Sequence, residues 1–189
     1  MEKYKVRIEA ERFIHNDLSN CANWYATQVE KKFESEDTTA VALDMMSALI
    51  FTAFSIEAKI NFVGWKLLEE GWPERANLKS KIKLLAKILE MEVNWGERPF
   101  QTIYQLKKFR DTIAHGKPEI IDVTKVVDVE PEVWATLKGQ WEASVNKQFV
   151  VQCREDEKDI WEMLLGAAGI EAHKTLTRGG HYLTVIPND

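Results

Sequence analysis

Arginine and histidine lie five positions apart in the stretch FRDTIAHGKP, and together they could act on a phosphate ester. Arg110 carries a permanently charged, planar guanidinium whose donors match phosphate oxygens. His115 can accept or deliver a proton near neutral pH, and Asp111 directly follows the arginine. The spacing alone is weak evidence for a site, because arginine and histidine also fall at this separation by chance.

Sequence motifs for other chemistries are missing. The chain has no phosphate-binding glycine loop, dinucleotide fingerprint, H-E-x-x-H or G-x-S-x-G, so we predict neither a nucleotide cofactor nor a metal. Cys21 and Cys153 lie far apart and outside any C-x-x-C spacing, which indicates two small buried hydrophobic residues. The other histidines have no ligand-type neighbour at a suitable spacing and are expected to be structural: His15, His173 and His181.

Composition and charge limit the classes of partner. The 189 residues are 45% hydrophobic, which suffices for one domain with a core, and the net charge of -5 argues against a uniformly basic surface that wraps duplex DNA. There is no apolar run near 18 residues, and the charged start MEKYKVRIEAER lacks the apolar core of a signal peptide. We therefore expect no membrane contact and a cytoplasmic location. Lys79, Lys83 and Lys87 recur every four residues, as on a solvated helix face.

Hydrophobic spacing predicts the helices that would position the motif. Apolar residues recur every three or four positions in six segments: 3–34, 42–67, 78–89, 100–115, a stretch after Pro131 that includes Leu137, Trp141 and Val145, and 155–168. Thr38 or Thr39 is expected to cap the second helix, and Gly116 with Pro118 to end the fourth. The tail TLTRGGHYLTVI alternates around Gly179-Gly180, which predicts a short hairpin or edge strand. Residues 1–168 should thus form a helical bundle, with 169–189 as a C-terminal extension.

The pattern R-D-x-x-x-H-G at the end of a helix resembles the HEPN superfamily of small helical-bundle proteins, many of which are RNases. The second predicted helix adds SIEAKINFVGW, which is similar to the E-A-x-x-N segment of that family. The resemblance covers residues 1 to about 165. It implies an all-α, HEPN-like bundle of four to six helices with a small hairpin-like C-terminal extension.

Helical geometry bears on how the two motif residues could meet. Residues five apart on a regular helix point about 140° away from each other, so Arg110 and His115 share a face only if the helix ends or bends between them. The stop signals Gly116 and Pro118 allow this. The alternative is a cleft shared between subunits, and dimerisation in the HEPN family brings two motifs together. We therefore predict a homodimer with a composite site.

The resemblance implies metal-independent RNA cleavage, in which the 2′-hydroxyl attacks the adjacent phosphorus. His115 would be the general acid or base, since its place near the negative end of the helix dipole favours the protonated form. Arg110 would stabilise the charge that develops on the phosphorane. Asp111 could orient Arg110 or the partner histidine, and Glu57 could reach the arginine from the second helix. For these two supporting residues, the alternative is a solvated or bundle-lining carboxylate.

Three lysines near the motif could collect the RNA backbone: Lys107, Lys108 and Lys117. A basic helix end is equally expected from pairing with the helix dipole. HEPN toxins that pair with a nucleotidyltransferase antitoxin tend to carry a tyrosine two residues after the histidine, where it can be modified. That position is Lys117 here, so control by tyrosine modification is not expected.

Two functions follow from these residues. The first is a metal-independent endoribonuclease, a toxin or phage-defence effector that acts on RNA and has an antitoxin or defence-system partner. The second is a non-catalytic HEPN-type interaction or RNA-binding module, in which the same residues stabilise a dimer interface. Retention of both Arg110 and His115 favours the nuclease, because a scaffold would tolerate losing either. A plain helical-bundle adaptor outside the family is a third interpretation.

Overall fold

The long helix α2 (Val41–Leu68) forms the centre of the molecule and contacts every other α-helix. The computed structural model describes residues 5–124, 126 and 137–186. The other elements in these ranges are the strands β1 (Lys5–Arg12) and β2 (Arg178–Ile186) and the helices α1 (His15–Glu34), α3 (Leu78–Ile88), α4 (Phe100–His115) and α5 (Lys147–Ala168). Short 3-10 turns cover Glu69–Gly71, Glu142–Ser144 and Ala172–Thr175. The chain is mostly helical with one small sheet.

The core lies around α2 because this helix is apolar over most of its circumference. Leu49, Ile56, Ile60 and Val63 are among its buried residues, and they meet apolar residues of the four surrounding helices. By length and composition the segment Val41–Gly71 would also suffice to cross a membrane. The core helix of a soluble protein can have the same length and composition. These two properties therefore do not distinguish a core helix from a membrane-spanning one.

The helices predicted from hydrophobic spacing agree with the structure in the middle of the chain. The fourth predicted helix has the bounds of α4, and Gly116 ends it in the left-handed conformation with φ 51°. The predicted cap of the second helix is wrong. The N-cap residue of α2 is Ala40, which has φ 55° and no capping side chain, while the backbone N–H of Thr39 bonds to Asp37.

The prediction of one helix over residues 3–34 is also wrong, because residues 5–12 form β1 and α1 begins only at His15. In KVRIEAER the apolar residues Val6, Ile8 and Ala10 alternate with charged ones, which is the period of a strand. Cys21, expected to be buried, is exposed on α1, whereas Cys153 is buried.

The C-terminal tail forms an edge strand, which is one of the two alternatives that its sequence predicts, and not a hairpin. Gly179 and Gly180 lie inside β2, which pairs antiparallel with β1 so that Val6 faces Val185 and Ile8 faces Leu183. A side chain at Gly179 would lie 2.8 Å from Cβ of Glu11, so glycine here serves close strand packing. The fold is therefore a helical bundle with a two-stranded sheet made from both ends of the described chain.

The fifth predicted helix, which would begin at Pro131, falls largely on residues 131–136, outside the described part of the chain. After it, Leu137 is exposed and Trp141 is half-buried beside the 3-10 turn Glu142–Ser144. The last helix starts earlier than the predicted residue 155. Asn146 caps α5 by accepting a 2.8 Å hydrogen bond from the backbone N–H of Phe149.

Candidate active site at the end of α4

The rotation of α4 about its axis is set by its apolar stripe. Ile103, Leu106 and Phe109 are almost completely buried. Arg110 follows the last of them and lies half-buried at the edge of this stripe, where it contacts α2. The hydrophobic pattern of α4 therefore determines which side of the helix presents the guanidinium.

Two carboxylates hold the guanidinium of Arg110. One terminal nitrogen donates a 2.9 Å hydrogen bond to Oε2 of Glu57 on α2, and the other lies 3.2 Å from Oδ1 of Asp111. The side chain of Arg110 remains 26% exposed, so a further anion can still approach it. Such charge-assisted contacts restrict the rotamers of a long side chain and present its planar group in one orientation.

Glu57 also binds a lysine that sequence reasoning missed. Its Oε1 accepts a 3.2 Å hydrogen bond from the ammonium of Lys81 on α3, and Lys81 is only 1% exposed. The carboxylate thus connects three helices. A signal was present in the sequence, since Lys81 lies between the apolar positions Leu78 and Ile82 and shares their face of the helix.

The predicted RNA-contacting lysines differ in their surroundings. Lys107 is half-buried and pairs with Asp111 one turn along α4. Lys108 is exposed, with its ammonium 4.8 Å from the centre of the Tyr104 ring, and Lys117 is exposed beyond the helix end. Lys79 is not simply solvated, because its ammonium lies 5.1 Å from the ring centre of Trp95.

His115 is the last residue of α4 and is exposed. The backbone N–H of Gly116 continues the helical bonding to Thr112 at 3.1 Å, so no bend or end separates Arg110 from His115. On this unbroken helix the two side chains leave the axis about 140° apart. Within the described residues, the side chain of His115 makes no hydrogen bond or ion pair. Within one copy of the chain it is therefore not bonded to Arg110.

The charges of the connected group favour an anion weakly. Arg110, Lys81 and Lys107 contribute three positive charges, and Glu57 and Asp111 contribute two negative ones. One positive charge is left over at a surface that Lys108 and Lys117 extend. Partly buried charges of this kind attract phosphate more strongly than fully solvated ones, because water screens them less.

The remaining histidines lie elsewhere. His15 is 1% exposed, and burial lowers its pKa to about 4, so it is neutral at pH 7. His173 pairs with Glu171 at the surface at 3.1 Å, and His181 lies in β2. No three His, Cys, Asp or Glu side chains within the described ranges are grouped as metal ligands would be.

A second ionic group, also missed by sequence reasoning, is buried between α2 and α5. Glu157 is 1% exposed and accepts hydrogen bonds from Ser55 at 2.5 Å and from Lys59 at 2.8 Å, and it pairs with Arg154. Burial also raises the pKa of the neighbouring thiol of Cys153. Its partners all come from the protein itself, so this group is an internal link between the two helices.

No protein-family model matches this chain, and no curated protein or solved structure is significantly similar to it.

Proposed function

We propose that this chain is a metal-independent endoribonuclease of the HEPN type that acts as a homodimer. The supporting observation is that α4 carries both a half-buried, carboxylate-held Arg110 and, at its last residue, an exposed His115. Guanidinium and imidazole together provide the charge stabilisation and the proton transfer that RNA cleavage by its own 2′-hydroxyl requires.

In the proposed reaction the 2′-oxygen attacks the adjacent phosphorus while a base removes its proton. The bond from phosphorus to the 5′-oxygen breaks, and an acid protonates that leaving oxygen. His115 of one copy is the base and His115 of the other is the acid. Arg110 donates hydrogen bonds to the non-bridging oxygens, whose negative charge grows in the transition state.

The homodimer is proposed because Arg110 and His115 lie on different sides of an unbroken helix. Two copies that meet along this end of α4 would combine an arginine from one with a histidine from the other. Glu57 and Asp111 would keep the guanidinium oriented, while Lys108 and Lys117 would contact the RNA backbone. The group has one excess positive charge, which fits a polyanionic substrate.

The test is cleavage of single-stranded RNA in excess chelator by the wild type, Arg110→Ala and His115→Ala. We expect each variant to lose about 100-fold or more in rate. Arg7→Ala and His173→Ala remove exposed residues of the same types elsewhere and should retain full activity. Equal activity in all five proteins would exclude Arg110 and His115 from the mechanism, and loss of wild-type activity in chelator would exclude a metal-free reaction.

Mixing the wild type with an excess of His115→Ala tests whether the site is shared. A mixed dimer keeps only one of the two histidines that the proposed reaction requires. We expect the activity to fall more steeply than the fraction of wild-type protein, and a proportional fall would contradict the composite site. A monomeric protein in light scattering at working concentration would contradict the composite site.

A second function is favoured by one observation. Both terminal nitrogens of Arg110 already contact carboxylates, which is also what a residue that only stabilises the bundle would do. A non-catalytic HEPN-type module would bind RNA or a partner protein through the same surface. It would bind single-stranded RNA without cleaving it, and His115→Ala would leave that binding unchanged.

A role as a toxin or phage-defence effector rests on the same cleavage. Induced expression of the wild type should then arrest growth, and expression of His115→Ala should not. A partner that protects the cell would be an antitoxin or another component of the defence system.

A further inference from the structure

A cavity of about 660 Å³ lies toward the C-terminal end of α2. There the junction between β1 and α1 meets the 3-10 turn that follows α2. The apolar walls of the cavity include four aromatic rings: Phe13, Phe62, Trp65 and Trp72. None of the residues that hold Arg110 line it. The volume lies within the range of about 300–1,000 Å³ that is usual for small-ligand sites.

The inner aromatic wall of this cavity is rigidly built. Trp72 is 7% exposed and its indole N–H donates a 3.1 Å hydrogen bond to Oδ1 of Asn61. The ring lies directly against Gly64, where a side-chain carbon would come within 2.3 Å of it. Trp65, by contrast, is 47% exposed and stands at the mouth. The indole surface that the cavity offers to a ligand is therefore mainly that of Trp65.

The rim of the cavity carries more negative than positive charge. Glu70 and Glu74 have no ion-pair or side-chain hydrogen-bond partner in the described part of the chain, and both are exposed. Glu11 is already paired with Lys66 at 3.1 Å, and Arg12 adds one positive charge. These three carboxylates and the two cations Arg12 and Lys66 together have a net charge of -1.

The same aromatic cluster already holds one cation on its outer side. The ammonium of Lys66 lies 4.9 Å from the centre of the Phe13 ring and 5.9 Å from that of Phe62. Aromatic faces attract cations through their quadrupole, and tryptophan does so best. The exposed ring of Trp65 is therefore the stronger site still available for a second cation.

His15 forms part of the inner lining of the cavity. It is 1% exposed, and its Nε2 has no hydrogen-bond partner in the described residues and is closed off from solvent. The charged acceptors that a ligand can reach in the lining are therefore the rim carboxylates.

We propose that this cavity binds a guanidinium group carried on an alkyl chain, as in a small guanidine compound or an arginine side chain. A guanidinium is planar and stacks on an indole face, while its N–H donors match the carboxylates of Glu70 and Glu74 and the amide oxygen of Asn61. A compact ammonium matches this set less well, and the carboxylates disfavour phosphate groups. The site is independent of the proposed RNA cleavage.

Butylguanidinium is the direct probe, and butylurea is its control because it has nearly the same planar shape without the charge and with three N–H donors instead of five. Binding is followed by tryptophan fluorescence and by the indole N–H shifts in NMR spectra. We expect saturable binding of butylguanidinium, weaker binding of butylamine and no saturable binding of butylurea. The peptide acetyl-Gly-Arg-Gly-amide distinguishes the two kinds of ligand. If it binds more tightly than butylguanidinium, the ligand is an arginine in a peptide. If it does not bind while butylguanidinium does, the ligand is a small molecule.

Variants locate the binding to this cavity. Trp65→Ala should weaken butylguanidinium binding about 2- to 30-fold, while Trp24→Ala, which removes another exposed tryptophan, should leave it unchanged. Glu70→Gln and Glu74→Gln should each weaken it by about fivefold or less, unlike Glu30→Gln on α1. Equal binding of butylurea, no binding of either guanidinium probe, or equal effects of Trp24→Ala and Trp65→Ala would each overturn the proposal.

Discussion

Arg110 and Glu57 join α4 to α2 through a 2.9 Å hydrogen bond between a guanidinium nitrogen and Oε2 of the carboxylate. The second oxygen of that carboxylate holds the buried ammonium of Lys81. One acidic side chain therefore bridges two basic ones from different helices. The orientation of the proposed catalytic arginine and the stability of the bundle depend on the same residue.

Glu57→Gln should lower the free energy of unfolding by about 1–3 kcal/mol, because Lys81 keeps its charge inside the protein without a counterion. Urea denaturation at pH 7 measures the change. Glu30→Gln, an exposed substitution of the same kind on α1, is the control and should change stability by less than about 0.5 kcal/mol. Adding Lys81→Met to Glu57→Gln should recover part of the loss, and no recovery would contradict the role assigned to the buried charge.

Stability should be more sensitive to substitution of the buried Glu157 than to substitution of Glu57. Glu157→Ala leaves Lys59, which is 5% exposed, without the carboxylate that its ammonium contacts at 2.8 Å. We expect a loss of about 3–5 kcal/mol in the free energy of unfolding. The double variant Glu157→Leu with Lys59→Met removes both charges and should lose less than Glu157→Ala. If the double variant is the less stable of the two, the buried pair contributes more than its desolvation costs.

His15 should make stability depend on pH in the acidic range. Burial lowers its pKa from 6.5 to about 4, so between these values the unfolded chain binds a proton that the folded chain does not. The contribution is fully present above about pH 6.5 and is lost as the pH falls toward 4, by about 3 kcal/mol in all. Urea midpoints from pH 4.5 to 7.5 measure it.

His15→Phe is the informative variant for that experiment, because an aromatic ring can still pack among Phe13, Phe62 and Trp161. The stability difference between the wild type and this variant should shrink or reverse as the pH falls from 6.5 toward about 4. His173→Gln, at an exposed histidine, should follow the wild type. A difference that is the same at every pH would exclude His15 as the source.

Substitution by alanine at two helical glycines should change the stability of the protein in opposite directions. Gly64→Ala places a carbon within 2.3 Å of the Trp72 ring and should cost about 1–3 kcal/mol while it changes the tryptophan fluorescence. Gly166→Ala in α5 meets nothing within 4 Å and should stabilise the protein by about 0.5–1 kcal/mol, because alanine favours the helix. Equal effects would show that Trp72 does not depend on the contact with Gly64.

The central helices were predictable from the sequence because their signals are local. Apolar residues recur at helical spacing, and α4 ends at Gly116, which tolerates the positive φ of a helix end. β1 was missed because its eight residues adjoin a helical pattern, and its partner strand lies at the opposite end of the chain. The alternation of Val6, Ile8 and Ala10 is a strand signal, but neither segment alone shows which strand it pairs with.

By itself the sequence determined the helical character of the chain and the place of Arg110 and His115 at the end of one helix. It also indicated that Glu57 could reach the arginine, a contact that is present in the structure. Only the tertiary structure decided that Lys81 and Glu157 lie inside as charged partners, and that aromatic residues from three segments enclose a cavity. These features join residues from separate elements, so they depend on how the helices pack rather than on any local pattern.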